Sequence, residues 1–187
     1  MRSSLSTPSR STELAIPLFV WITGEDHPKA CTGRRLLQRG LAKAWSASGA
    51  EGRAPIVLDP RAPDPLSPVD AQRARSSGLL VVDCSWNRLS DRGGFAKSLG
   101  RLSRFPRRRL PWLLAGNPQH YGRLGELNTA EALASALEIL GEPETARRLL
   151  DVFAGGPGFR ALNARLLEAY RDARTVDELR ARERDFF

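Results

Sequence analysis

The hydrophobic residues of the amino-terminal half fall into short runs rich in β-branched and aromatic residues. The runs LAIPLFVWI at 14–22, APIVLDP at 54–60 and GLLVVD at 78–83 each predict a buried strand, and LPWLLAG at 110–116 predicts a fourth. Between the first two runs, CTGRRLLQRGLAKAW at 31–45 places leucines and a tryptophan at helical spacing. Strands that alternate with helices predict an α/β fold with a parallel sheet and helices on its faces.

Two more helices are expected in this half of the chain. Ser67 and Pro68 have the residue types of an N-cap and a first helical position, and AQRARSS continues the helix that they begin. A further helix is predicted over roughly 95–104. The proline-rich segment before Ser67 is predicted to be a loop.

After Gly116 the pattern becomes purely helical. NTAEALASALEILG predicts a helix with Thr129 as its N-cap and Gly141 as its stop, and three amphipathic helical segments follow it.

These patterns divide the chain into three parts. We predict a disordered amino terminus at 1–13, an α/β domain at 14–115 and an all-helical carboxyl-terminal domain at 116–187.

The charge of the chain favours a polyanionic partner. The formal net charge is +8, and only three of the 29 basic residues are lysine. Nucleic acid is the natural partner for such a surface, although a genome rich in G and C would also raise the arginine content. The densest basic segment, RLSRFPRRRLPW, mixes cations with aromatic rings, as RNA-binding surfaces do. Its predicted RNA-binding residues are Arg101, Arg104, Arg107, Arg108 and Arg109.

The chain offers little for metal binding or secretion. It has two cysteines without a CxxC spacing and two histidines, so we expect no metal site. The first dozen residues are polar and lack the apolar core of a signal peptide, and no apolar run is long enough to span a bilayer. We therefore expect a cytoplasmic protein without a membrane partner.

The segment GLLVVDCSWNRL, at 78–89, carries a dense set of functional groups where a buried strand ends. Ligands collect beyond the carboxyl ends of parallel strands, which makes Asp83 and Trp86 candidates for a binding pocket. Asp83 could instead be a turn or N-cap residue, and Trp86 a core residue.

Several enzyme classes are disfavoured by the same residues. Cys84 has no histidine beside it in the sequence and is better explained as packing than as a nucleophile. DCSWN differs from the GxSxG pattern of serine hydrolases, and neither GxGxxG nor GxxxxGK[ST] occurs.

Taken in order, five segments resemble the Tsr3 family of ribosomal RNA aminocarboxypropyltransferases. The resemblance extends from Ile16 to about Tyr170. The segments are PKACTGRRLLQRGLA, IVLDP with LSPVD, GLLVVDCSWNRL, RRRLPWLLAGNPQHYGRLGELNTAEALASALEILG and GFRALNARLLEAY.

The resemblance implies an activity, a partner and a fold. The enzyme would move the 3-amino-3-carboxypropyl group of S-adenosylmethionine to N3 of N1-methylpseudouridine in small-subunit rRNA. The fold would be SPOUT-like, with a deep trefoil knot in the sheet domain and a helical domain after it. A monomer is expected, in contrast to the dimers of SPOUT methyltransferases.

The resemblance also implies roles for particular residues. Asp83 corresponds to an acid near the transferred group, and Trp86 to an indole that buries the cofactor's methyl group. Thr32, in CTG, corresponds to a residue at the amino-acid end of the cofactor.

Further cofactor contacts map by resemblance to Val82, Leu110 and Thr129. A family position that is often tyrosine falls on Gly125, which leaves only a main-chain contact there.

The residue types agree with this chemistry. A sulfonium activates each of its three attached carbons, so the pocket decides which group is transferred. N3 of a pyrimidine must lose its proton before it attacks, and Asp83 is an acid that could accept that proton or orient the ring. Two alternatives stay open at this point: an RNA methyltransferase on the same fold, and a non-catalytic RNA-binding assembly factor.

Overall fold

The central feature of the fold is a five-stranded parallel sheet. The computed structural model describes residues 16–23, 31–45, 54–83, 100 and 102–187. The strands are β1 (Leu18–Ile22), β2 (Lys43–Ala44), β3 (Ile56–Leu58), β4 (Leu79–Asp83) and β5 (Arg107–Arg108). They lie in the order β2-β1-β4-β3-β5, with every neighbouring pair parallel. The predicted α/β class with a parallel sheet is confirmed.

Strand β4 lies in the middle of the sheet, between β1 and β3. Its five residues are all buried, as expected for a parallel strand covered on both faces. The register pairs Ile22 of β1 with Asp83, whereas the ladder with β3 ends at Val81. Val82 and Asp83 therefore extend beyond the last paired residue of β3.

Helices occupy much of the rest of the described chain. They are α1 (Thr32–Gln38), a 3-10 turn (Pro68–Asp70) that leads into α2 (Ala71–Ser77), α3 (Thr129–Ile139), α4 (Pro143–Leu150), α5 (Gly156–Arg171) and α6 (Val176–Phe186). The helix predicted to open at Ser67 and Pro68 is confirmed, with Ser67 as the N-cap of the 3-10 turn. None of these described helices is both long and apolar enough to cross a membrane.

The two faces of the sheet pack into two different apolar clusters. Leu18, Val20 and Val81 belong to a large cluster that also contains the buried faces of α1, α3 and α5. The alternate residues of the same strands, Phe19 and Val82 among them, belong to a smaller cluster on the opposite face. Helix α3 is almost wholly buried and contacts both β4 and α1.

The prediction that one helix covers residues 31–45 is wrong in its second half. Helix α1 ends at Gln38, and Gly40 adopts a φ of 65°, which turns the chain back. Lys43 and Ala44 then form β2 beside β1. The aromatic ring of Trp45 packs edge-on against Phe19, at 5.3 Å between centroids. The hydrophobic residue at position 45 therefore serves packing against β1 and not the face of a helix.

The prediction of a strand at 110–116 is also wrong. The sheet strand is β5, just before that segment, and within 110–116 the structure has only an isolated antiparallel bridge from Leu114 to Leu124. Pro111 lacks the N–H that a continued ladder would need.

The prediction that Thr129 is an N-cap is wrong, because Thr129 is the first residue of α3. Asn128 is the N-cap, and its side chain accepts a hydrogen bond from the amide of Glu131. The helix predicted over roughly 95–104 lies largely outside the described residues; within it, 102–104 form a turn.

Candidate functional site

The candidate site lies at the carboxyl ends of β1 and β4. The connection that leaves β1 leads to β2 on one side of the sheet, and the connection that leaves β4 leads to β5 on the other. Such a point creates a crevice between the two strands. The main-chain oxygen of Asp83 accepts hydrogen bonds across it from the amide and hydroxyl of Thr23, at 3.2 and 3.0 Å.

The carboxylate of Asp83 is buried against the start of α1. The Cys31 thiol donates a hydrogen bond to Asp83 Oδ2 at 2.9 Å, and Cys31 Sγ accepts one from the Arg34 amide at 3.3 Å as the N-cap of α1. A Cβ on Gly33 would lie only 2.0 Å from the same carboxylate oxygen. The glycine of CTG is therefore required by the approach of Asp83.

Thr32 joins α1 to the start of α3. Its hydroxyl donates a hydrogen bond to Asn128 Oδ1 and accepts one from the Ala130 amide, both at 3.3 Å. Residues from CTG and from NTAE, which are about a hundred positions apart in sequence, therefore share one hydrogen-bond network with Asp83 close by.

Glu131 lies at the centre of a buried polar network that the sequence reasoning missed. Its two carboxylate oxygens accept hydrogen bonds from the amide of Gly116, the side-chain amide of Asn117 and the amide of Asn128, at 2.8 to 2.9 Å. Burial raises the pKa of Glu131, and these hydrogen bonds oppose that shift. The spacing Asn128-x-x-Glu131 is a capping box, so a signal for this network was present in the sequence.

Two donors, one in the first turn of α1 and one in the first turn of α3, lack partners within the described part of the chain. Among the amides from Asn128 to Glu131, that of Thr129 alone has no hydrogen-bond acceptor there. Arg34 Nε is buried and also has no acceptor among the described residues. A ligand with a carboxylate would satisfy such donors.

The side chains of Val82 and Asp83 point to opposite faces of the sheet. Val82 packs in the smaller apolar cluster, on the face of the sheet opposite to Asp83. Leu110 is partly buried beside the large cluster. Trp86 lies outside the described residues.

Gly125 has a conformation that disfavours a side chain. Its φ is +76°, and a Cβ there would lie 3.0 Å from the indole of Trp112. The tyrosine that the family resemblance suggests for this position would therefore be strained, and the indole of Trp112 covers the space instead.

Three of the five predicted RNA-binding arginines pair with acidic residues of the protein. Arg107 pairs with Asp59 at 3.3 Å, and Arg108 pairs with Asp70 at 3.2 Å. Arg109 donates two hydrogen bonds to the buried Glu183, both at 2.7 Å, and the bond to Glu183 is the largest cause of its raised pKa.

The two remaining arginines of that segment differ. Arg104 is exposed and lies over the ring of Phe105, at 5.0 Å from its centroid. Arg101 lies outside the described residues. RNA contact by any of the five stays a prediction.

The described residues also include no group of three or more His, Cys, Asp or Glu side chains that could hold a metal ion.

The fold and the site define an α/β protein with a buried carboxylate in the crevice of a parallel sheet. Residues 56–187 match the family described as "Ribosome biogenesis protein, C-terminal". The chain belongs to this family, the Tsr3 rRNA aminocarboxypropyltransferases.

Relatives from several organisms are named rRNA aminocarboxypropyltransferases. The 16S rRNA aminocarboxypropyltransferase of Methanosarcina mazei is 38% identical over 164 residues, which cover 88% of this chain and 91% of that protein. The 18S rRNA aminocarboxypropyltransferase of Schizosaccharomyces pombe is 34% identical over 95% of this chain and 59% of its own length.

A solved structure agrees with the fold. The SAM-dependent rRNA:acp-transferase Tsr3 of Vulcanisaeta distributa is 34% identical and superposes with a TM-score of 0.75. The match covers 90% of this chain and 89% of that one.

Proposed function

We propose that this protein transfers the 3-amino-3-carboxypropyl group of S-adenosylmethionine to N3 of N1-methylpseudouridine in small-subunit rRNA. The observation that carries the proposal is the meeting of three distant segments at one crevice. Cys31 contacts the Asp83 carboxylate, and Thr32 contacts the first turn of α3. The names of the relatives supply the reaction, and this arrangement supplies residues to perform it.

The donors at the site suit the amino-acid end of the cofactor. The buried Nε of Arg34 and the amide of Thr129 would bind its carboxylate, with the Thr32 hydroxyl between the two segments. Val82 and Leu110 would add main-chain or apolar contacts, and Gly125 a main-chain contact. When bound, the cofactor supplies a sulfonium whose attached carbons accept a nucleophile.

Asp83 would act on the incoming base. Its carboxylate is held by the Cys31 thiol and lies at the end of the strand that extends past β3. A carboxylate held in this way can accept the N3 proton of the uridine, or orient the ring for attack. Trp86 would line the cofactor's methyl group and so direct the longer group towards the RNA.

Finer features of the fold and setting belong to the same proposal. We infer a trefoil knot in the sheet domain from the family resemblance, and the strand order, with β4 inserted between β1 and β3, is compatible with it. The helices after 116 would form a separate carboxyl-terminal domain, although their apolar residues share a cluster with the strands. We expect a cytoplasmic monomer that acts on the pre-ribosomal small subunit.

Transfer can be tested with two cofactor preparations, one labelled on the methyl group and one on the carboxyl carbon. Each is incubated with the protein and with small-subunit rRNA that lacks the aminocarboxypropyl group. We expect only the carboxyl label to enter the RNA, in one nucleoside identified by mass spectrometry. Asp83→Ala should bind the cofactor nearly as well and lower turnover by roughly 10²-fold.

Other outcomes would assign a different function. Transfer of the methyl label would make the protein an RNA methyltransferase. RNA binding without cofactor binding in calorimetry would make it a non-catalytic assembly factor. Full activity of a stably folded Asp83→Ala protein would remove Asp83 from the mechanism.

A further inference from the structure

A small hairpin projects beside the site, and we call residues 112–125 the aromatic lobe. Its two arms are joined by the bridge between Leu114 and Leu124 and by the hydrogen bond from the Ala115 amide to Arg123, at 2.9 Å. At the tip, the His120 amide donates to the main-chain and side-chain oxygens of Asn117. These bonds make the lobe a structured element of the fold.

The lobe carries an unusual share of exposed apolar surface. Six large hydrophobic residues are exposed in the described chain, and three of them lie on this lobe. They are Trp112, Tyr121 and Leu124, with exposures of 45%, 67% and 39%. Exposed hydrophobic residues gathered on one element indicate an interaction surface.

Trp112 is held firmly although its ring is exposed. Its amide donates a hydrogen bond to Glu183 Oε1, and its carbonyl oxygen accepts one from the buried Tyr170 hydroxyl, each at 3.0 Å. The indole lies over Gly125, where a Cβ would be 3.0 Å from its edge. An aromatic ring on an anchored main chain offers a rigid face to a ligand at small cost in entropy.

The Asn117 side chain connects the lobe to the residues of the candidate site. Asn117 donates from its side-chain amide to the carbonyl of Glu126 and to the buried Glu131 carboxylate. Glu131 in turn accepts from the amide of Asn128, which contacts Thr32. Hydrogen bonds therefore connect the lobe to Thr32 of the candidate site.

We propose that the aromatic lobe binds unpaired nucleotides of the RNA that flank the acceptor uridine, by stacking bases on Trp112 and Tyr121. Both residues have an aromatic ring with a polar tip, and both are exposed. Arg123 pairs with Glu126 at 3.4 Å but keeps 63% of its side chain exposed, and it adds a cation on the same lobe of a chain with net charge +8. Stacking with nearby cations is how proteins hold single-stranded RNA. This proposal rests on the proposed function.

The test measures binding of a fluorescently labelled oligouridylate to the full-length protein and to single variants. Trp112→Ala and Tyr121→Ala should each weaken binding roughly tenfold, as expected when one stacked base is lost. Tyr121→Phe should bind like the wild type, because the ring is retained. The matched control is Val69→Ala, which shortens an exposed hydrophobic side chain, 57% exposed, elsewhere on the fold and should change nothing.

Two further measurements make the result specific. The slope of log affinity against log salt should stay the same in Trp112→Ala and Tyr121→Ala, because stacking releases no counterions. In Tyr121→Ala, the melting temperature and the dissociation constant for S-adenosylmethionine should also stay the same, which shows that the site is intact.

Unchanged oligouridylate affinity in both alanine variants would overturn the proposal and leave a protein partner as the ligand of the lobe. A loss in Tyr121→Phe as large as in Tyr121→Ala would overturn stacking as the cause. These binding measurements do not depend on the outcome of the label-transfer experiment. A wild-type protein that transfers the carboxyl label while its lobe variants bind RNA normally would keep the proposed function and lose only this inference.

Discussion

The thiol of Cys31 lies 2.9 Å from Oδ2 of Asp83 and donates a hydrogen bond to it. The two residues are 52 positions apart, and each lies at the boundary of its element: Cys31 is the N-cap of α1, and Asp83 is the last residue of β4. The N-cap that starts one helix thus also holds the acid of the candidate site.

We predict that Cys31→Ala lowers turnover roughly tenfold, because a carboxylate that loses its positioning donor is less well aligned with the base. Cys31→Ser should recover most of the activity, since a hydroxyl can both donate to Asp83 and cap α1. Single-turnover kinetics and cofactor affinity separate alignment from binding. Equal activity in the alanine and serine variants would show that the thiol does not position Asp83.

Gly33→Ala should damage the site more than the fold. Alanine raises helix stability by about 1 kcal/mol relative to glycine in a helix, but its Cβ would lie 2.0 Å from Asp83 Oδ2 and displace that carboxylate. We expect a stable protein with turnover lowered by roughly 10²-fold. Gly158→Ala is the matched control, because Gly158 is also in the first turn of a helix and an added Cβ would meet open space there. Wild-type turnover in Gly33→Ala would argue against a fixed role for the Asp83 carboxylate.

Arg109 should stabilise the fold whatever it contributes to RNA binding. Arg109→Ala leaves Glu183 buried without its cation, and breaking such a pair costs about 3 kcal/mol in the free energy of unfolding. The comparison is Arg147→Ala, whose pair with Glu144 is exposed and is worth about 1 kcal/mol or less. Urea denaturation of both variants measures the difference. Equal destabilisation would mean that solvent screens the Arg109 pair as well.

Glu131 should give the protein a specific dependence on pH. Its pKa is raised from 4.5 in the folded state, so the folded protein binds the proton more tightly than the unfolded chain. The stabilisation from protonated Glu131 is complete below pH 4.5, the ordinary pKa of the side chain, and it is lost as the pH rises through the higher pKa of the folded state. We therefore expect the wild type to lose unfolding free energy relative to Glu131→Gln as pH increases above 4.5. An advantage of the wild type that grows with pH would show that the hydrogen bonds outweigh burial.

Much of the architecture could be predicted from local patterns. Continuous apolar runs identified β1, β3 and β4, and capping residues identified α2 and the helices after Gly116. The errors occurred where tertiary contacts override local spacing. Trp45 has a helical spacing from Leu41 but packs against Phe19 after β2, and Pro111 interrupts what otherwise resembles a strand.

The site divides in the same way. The sequence by itself determined that an acid ends the central strand and that CTG lies at the start of a helix, because each depends on neighbours within a few residues. It also contained the Asn128-x-x-Glu131 capping box, although our prediction placed the N-cap at Thr129. Only the tertiary structure decided that Cys31 holds Asp83 and that Thr32 reaches Asn128. It also decided the partners of three consecutive arginines, which are Asp59 for Arg107, Asp70 for Arg108 and Glu183 for Arg109. Those contacts join residues 38 to 96 positions apart. No local pattern encodes them, because they exist only after the sheet and α3 have packed around one core.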